Sequence, residues 1–413
     1  MASICLCFQV HQPFRLRRDF DFFSIGSQLS YEDTSLTAAV VRKVAQKCYL
    51  PANQLMLKLV NEHKGKFKIA YSLSGVCLEQ FEQYCPEVIA SFKKLVQTGC
   101  VELLGETYYH SLSFLFSKDE FQAQVRAHEE AIGRYFDIKP TTFRNTELVY
   151  NNQLAEAAEA MGYRLVLLEG ADRLLGWRSP NFVYRPASNS NLRLLLRNYR
   201  LSDDIAFRFS NAAWEHYPLT AEKYAHWIHS VGASSQVINL FMDYETLGEH
   251  QWADTGIFQF MQKLPTAAFA RENVRFQTPT EVTQTHVPVG IIDSPYTTSW
   301  ADTERDTSAW LGNEMQRSAM EYVYSLESRV RNTGSADIIH AWRKLTTSDH
   351  FYYMSTKRSG DGEVHRYFNP FPTPYDAYVT YTNAVNHLNE SLIANSVVRE
   401  ERPAREAIHN AYL

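Results

Sequence analysis

A strand–helix alternation repeated seven times constrains this chain more than any other feature. Short β-rich runs at "SICLCFQV" (3–10), "FKIAYS" (67–72), "CVELLG" (100–105), "TTFRNTE" (141–147), "RLVLLEG" (164–170), "LSDDIAF" (201–207) and "QVINLFMD" (236–243) read as strands. Helical patterns at 36–63, 75–98, 118–136, 152–161, 191–199 and 219–231 lie between them. In "SKDEFQAQVRAHEEAIGRYF" a serine precedes an acidic first turn and apolar residues at helical spacing, as in a capped amphipathic helix. Parallel strands need a long crossover, usually a helix, so this alternation predicts a parallel sheet with helices outside it, closed into a barrel or doubly wound.

After about residue 290 the pattern changes. "DTSAWLGNEMQRSAMEYVYSLESRV", "GSADIIHAWRKLTTSDHFYYM" and "PYDAYVTYTNAVNHLNESLIANSV" read as helices with no strand between them. The expected division is an α/β part over 1–290 and a C-terminal helical part over 291–413.

The chain has 413 residues, 45% of them hydrophobic, enough for a large core. Its net charge of −5 and the lack of a basic block argue against nucleic acid as a partner. Six cysteines fall within the first 100 residues without a CxxC pair, which reads as buried free thiols in a reducing cytosol. The apolar run at the N-terminus is too short to span a membrane and lacks the charge order of a signal peptide. A soluble, cytoplasmic protein is expected. The 24 Tyr, 24 Phe and 7 Trp suit a cleft that stacks on pyranose rings, and suit a large α/β core equally well. Trp177, Trp214, Trp252 and Trp310 are candidate platforms, with core packing the simpler role for each.

In parallel α/β folds ligands bind at the carboxyl ends of the strands. The first strand ends in His11, Gln12 and Pro13, and the third runs into Glu106 and His110. The fourth delivers Arg144 and Glu147, and the seventh ends in Asp243. Glu147 and Asp243 thus stand at equivalent strand ends, as glycoside hydrolysis through a covalent intermediate requires. A solvated strand end or a helix cap would explain either acid alone. Arg144, three residues before Glu147 in an extended segment, is expected on the other face, as a structural ion pair or as a charge that keeps Glu147 ionised. Glu245 leans the same way as Asp243 and could orient it or a substrate hydroxyl. Glu249 and His250 lie beyond Gly248 in the loop.

His11 and His110 could bind hydroxyls or ligate a metal, as in the Asp-His-His site of polysaccharide deacetylases. Strand one, however, ends in His-Gln-Pro without the paired acids of that site. His226 and His229 are three apart on a helix with no acid beside them, which reads as an outer helical face. "SGDGEVHRY" (359–367) lacks calcium-loop spacing and reads as a turn. No G-x-S-x-G elbow, Walker motif or dinucleotide glycine motif is present.

"HQPFRLR", "ELLGETYYHSL", "FRNTELVYNN", "MDYETLGEH" and "SWADTERDTSAWLGNEMQ" occur in that order. Together they resemble the five sequence regions of glycoside hydrolase family 57. "SDHFYYM" and "NPFPTPYDAY" resemble its intracellular α-amylase-like branch. The resemblance spans residues 4 to about 380. It implies an incomplete (β/α)7 barrel followed by a C-terminal helical domain that contributes to the cleft. It implies a retaining α-amylase or 4-α-glucanotransferase acting on α-glucans or maltooligosaccharides, with no cofactor and no metal. The family's nucleophile falls on Glu147 and its general acid/base on Asp243. His11 and His110 match positions lining the site near the scissile sugar, and Trp300, Asp302 and Asp306 fall in the fifth region as substrate-binding candidates. Glu106 stands where several members carry glutamine. Some members of this branch lack one catalytic carboxylate, so a non-catalytic glucan-binding protein is the alternative reading; both carboxylates are present here.

Overall fold

The computed structural model describes residues 1–18, 30–188, 191–357 and 369–411, with side chains up to 394. The segment "SGDGEVHRY", expected as a turn, lies outside the described residues. The chain forms two compact units. The first comprises Met1–Gln12, Ala38–His110 and Lys118–Thr307, and the second Pro13–Thr37, Ser111–Ser117 and Ser308–Leu413.

In the first unit the strands are β1 (Ala2–Val10), β2 (Ile69–Leu73), β3 (Val101–Leu104), β4 (Thr142–Arg144), β5 (Leu165–Glu169), β6 (Val183–Pro186), β7 (Arg193–Arg197), β8 (Val237–Asp243), β9 (Val274–Phe276) and β10 (Gly290–Ile292). All nine residues of β1 are buried, as expected of a parallel strand covered on both faces. One parallel arc runs β3-β2-β1-β8, with Gln9 opposite Asp243 at its carboxyl end. A second runs β4-β5-β7 and continues through antiparallel β6 to β10.

Two short seams join the arcs. At the first, the Gly105 N–H donates to Thr142 C=O and the Arg144 N–H donates to Gly105 C=O, both at 2.8 Å. A Cβ at Gly105 would stand 2.3 Å from the hydroxyl of the buried Tyr163, so a side chain at this seam would have to displace that ring. At the second seam the Asn198 N–H donates to Asn239 C=O at 2.9 Å. The Asn239 side-chain amide donates to Leu196 C=O at 2.8 Å. An amide in the middle of the apolar strand "VINLFMD" is thus explained by closure. Seven strands (β1–β5, β7 and β8) form the incomplete barrel among the described residues.

The sixth of these strands is not where the sequence pattern set it. "LSDDIAF" is helical, as part of the helix Tyr199–Ala206, and the stretch read as a helix over 191–199 contains strand β7. An apolar run of the length of "RLLLR" fits either period, and its backbone is satisfied here by β5 on one side and β6 on the other. Asn198 then caps the following helix, accepting from the Leu201 N–H at 3.1 Å.

The second unit is helical. Its helices are Ser308–Leu311, Glu314–Ser325, Glu327–Thr333, Ala336–Leu345, Ser348–Tyr352 and Pro374–Ala411. Trp310 and Trp342 are fully buried in it, and the Trp342 indole N–H donates to Val323 C=O at 2.8 Å. All six cysteines are buried free thiols. Among the described residues no helix is long and apolar enough to cross a membrane.

Candidate active site

Strand β4 leaves extended geometry abruptly after Arg144. Glu147 and Leu148 adopt left-handed backbone angles, φ 58° and 50°, which cost energy outside glycine and cluster at functional sites. The turn brings Glu147 over the barrel mouth, where both carboxylate oxygens meet donors. Oε1 lies 3.3 Å from His110 Nε2. Oε2 accepts the Trp300 indole N–H at 2.8 Å. The Trp300 backbone N–H also donates to Glu147 C=O, at 3.2 Å. This grip is built by a two-way backbone pairing of Tyr150 with Thr298, at 3.0 and 2.8 Å. The Arg144 and Arg197 guanidinium carbons lie 4.7 and 5.7 Å from the Trp300 ring centroid. Replacing Trp300 with Phe keeps the ring and removes only the N–H. One hydrogen bond to a charged group corresponds to a loss of about 10–100-fold in kcat/KM, to be measured on maltoheptaose with the folded state checked by circular dichroism.

His110, itself at φ 50°, bridges two carboxylates. Its Nδ1 lies 3.0 Å from Glu106 Oε2, while Nε2 faces Glu147. Burial disfavours the imidazolium, but the hydrogen bonds and charges of Glu106 and Glu147 overcome it and push His110 up to about 10. Glu106 is fully buried and also accepts from Ser72 Oγ at 2.8 Å and Gln9 Nε2 at 3.2 Å. Burial would raise its carboxyl, yet the hydrogen bond and charge of His110, with the Arg144 charge, hold it down to about 2. His128 is the neutral member. Its Nδ1 accepts from the Glu106 N–H at 3.4 Å, which leaves Nε2–H to donate to Leu73 C=O at 2.7 Å. The His11 ring stacks on His110 at 3.9 Å between centroids and reaches Ser74 Oγ through Nδ1 at 2.7 Å.

Asp243 ends β8 half-buried. Burial pushes its carboxyl up, the Glu147 charge adds to the push, and Arg144, His110 and Arg197 draw it back, leaving it at about 6. Arg144 does not point to the other face, as strand alternation would have it. It is buried against the Trp300 ring, and the charges of Glu106, Glu147 and Asp243 all act on it. The reason is the turn at Asn145–Leu148, which breaks the two-residue alternation between Arg144 and Glu147. Glu245 is buried in a 3-10 turn directly after Asp243. Glu249 is held by Lys43 at 2.5 Å, and burial pushes His250 down to about 4.

Asp302 and Asp306 sit on the turn after Trp300, in the first unit. Asp302 is buried with φ 55°, and the Asp306 backbone carbonyl accepts from Ser299 Oγ at 2.5 Å. Of the histidine pair read as an outer face, His226 is exposed, but His229 is buried and bonded to Ala268 C=O at 2.8 Å. Trp177 is 95% exposed and Trp252 55%, whereas Trp214 packs on Trp227.

A buried ion network beside the site went unread in the sequence. Arg197 joins Glu169 at 3.1 Å, Asp203 at 2.5 Å and, through Nε, Phe241 C=O at 2.7 Å. Arg305 closes the network onto Asp203 at 3.2 Å. Glu169 ends β5 and Arg197 ends β7, so the strand-end filter would have found Arg197 had the sixth strand been set correctly.

A carboxylate held by two donors, close enough to a half-buried acid to raise its proton affinity, is suited to attack on carbon with protonation of a leaving group. Residues 5–295 match the sequence model of Glycosyl hydrolase family 57. The chain belongs to that family. This family 57 glycoside hydrolase is 44% identical over 387 residues to a protein of Methanocaldococcus jannaschii whose name gives α-amylase as a provisional assignment. That alignment covers 91% of this chain and 82% of the relative. A family 57 branching enzyme from Thermococcus kodakaraensis shares the fold with a TM-score of 0.66 at 13% identity, over 94% of this chain and 95% of the other. The 4-α-glucanotransferase of Thermococcus litoralis gives a TM-score of 0.58 at 15% identity. There the match covers 92% of this family 57 chain and 55% of the larger enzyme.

Proposed function

We propose that this protein is a retaining enzyme acting on α-1,4-glucans, by hydrolysis or by glucanotransfer. The observation that carries the reading is the opposed state of two rim carboxylates: Glu147 has a donor on each oxygen, while Asp243 is pushed up to about 6. Glu147 attacks the anomeric carbon as Asp243 gives its proton to the leaving glycosidic oxygen. Asp243, now ionised, takes a proton from water or from an incoming sugar hydroxyl, and the acceptor displaces Glu147 with a second inversion. The names of the relatives, an amylase, a branching enzyme and a 4-α-glucanotransferase, support an α-glucan as the substrate. His11, His110, Trp300, Asp302 and Asp306 are the substrate-binding candidates, with His110 and Trp300 also holding the nucleophile. Both ring nitrogens of His110 are bonded to carboxylates, which favours this reading over a metal-dependent deacetylase with His110 as a ligand.

Incubation with maltoheptaose tests it. Shorter sugars alone mean hydrolysis, longer ones mean transfer, and proton NMR of the first product must show the α-anomer. No change in the sugar would leave the non-catalytic reading standing.

The pH dependence follows from the acid. Burial and the Glu147 charge keep Asp243 protonated above the ordinary aspartate range, so its proton is lost as pH rises through about 6. The kcat/KM profile is expected to fall on its alkaline side from about that pH, and a fall already near pH 4 would remove Asp243 from the acid role.

A further inference from the structure

The β1–β8 ladder ends at the pair Gln9–Asp243. Two residues after Gln9, just past the end of β1, the chain presents the His11 N–H, but β8 has turned into the 3-10 turn Tyr244–Thr246 and no longer runs alongside. The His11 N–H donates instead to Glu245 Oε1, at 3.3 Å. The same oxygen accepts the Tyr49 hydroxyl at 2.5 Å, from the helical segment that covers this strand end. Glu245 is 4% exposed, so it does not serve solvent. We propose that Glu245 is a positioning residue, its carboxyl standing in for the missing backbone acceptor and fixing His11 in its stack on His110, the donor to Glu147. This rests on the reading of the rim as a glucan-cleaving site.

The function assigned to Glu245 is acceptance of hydrogen bonds rather than charge. The titratable groups beside it include Asp243, Tyr49, Cys48, Tyr244 and His11, whose backbone it holds. Burial, then the Asp243 charge, pushes its carboxyl up to about 8, above the value for Asp243. A glutamine amide of the same reach carries a carbonyl oxygen that can accept the same two bonds.

Two measurements on the full chain test the proposal. The first is hydrogen exchange of the peptide containing His11. Glu245→Ala is expected to speed exchange of the His11 amide, whereas Glu245→Gln keeps it protected. Unchanged exchange in Glu245→Ala overturns the proposal whether or not the protein cleaves glucans. The second is a double-mutant cycle on maltoheptaose. Glu245→Ala is expected to lower kcat/KM by about tenfold or more, Glu245→Gln to restore most of it, and His11→Ala/Glu245→Ala to lose no more than His11→Ala alone. Losses that multiply, or a glutamine variant as impaired as the alanine one, reject a role through His11. A wild-type protein inert on maltoheptaose rejects the glucan reading and leaves the exchange result to decide the anchor.

Discussion

Glu147→Gln and Asp243→Asn are each expected to remove almost all glucan-cleaving activity, by about 10³-fold or more, while the fold stays intact. The two losses differ in kind. Without the Glu147 anion no glycosyl-enzyme forms, so natural and activated substrates fail alike. Without the Asp243 proton, departure of a sugar alkoxide is crippled, but an aryl leaving group such as 4-nitrophenol departs unaided. Asp243→Asn should therefore keep far more of its first-step rate on a 4-nitrophenyl maltooligosaccharide than on maltoheptaose. Glu147→Gln should lose both equally. The converse pattern would exchange the two roles, and near wild-type turnover of Glu147→Gln would end the assignment.

His110→Asn has the second large effect, on activity and stability together. Asparagine tolerates the left-handed backbone of this position, so the loss reports on the imidazolium rather than on strain. The cation between Glu106 and Glu147 disappears, leaving a buried and a half-buried carboxylate without their shared partner, at a cost of about 3–5 kcal/mol. The sign of its pH dependence is fixed. His110 is raised from its ordinary 6.5 to about 10, so its stabilisation is fully present below pH 6.5 and is lost as pH rises through 10. The gap in unfolding free energy between wild type and variant should narrow across that window in chemical denaturation. A gap constant with pH would mean that His110 is not charged. Activity should fall by about 10²-fold or more, because Glu147 loses the donor on one oxygen.

The number of barrel strands was legible from alternation, since a parallel barrel demands a helix after almost every strand. The sixth strand was not, because a five-residue leucine run carries no period of its own and only its neighbours decide its state. At the rim, residues at strand ends were legible by type. What Glu147 touches was not, because the backbone turns left-handed there and the strand period stops applying. Arg144 was set on the wrong face for that reason. Trp300 as a donor to Glu147 was equally hidden, arising from a backbone pairing between residues 150 and 298. Glu106 and His110 were visible as polar letters, but only their contact in the fold, against the effect of burial, makes them an anion and a cation.

The two seams carry a consequence for the chemistry. They divide the barrel into arcs, and the two carboxylates fall on different ones: Asp243 ends a strand of the first arc, and Glu147 follows a strand of the second. The gap between Glu147 and Asp243 is therefore spanned by no continuous ladder. That gap is bounded by the seam contacts of Gly105 on one side and Asn239 on the other, and under the proposed mechanism these two residues gauge the space left for a glycosidic bond.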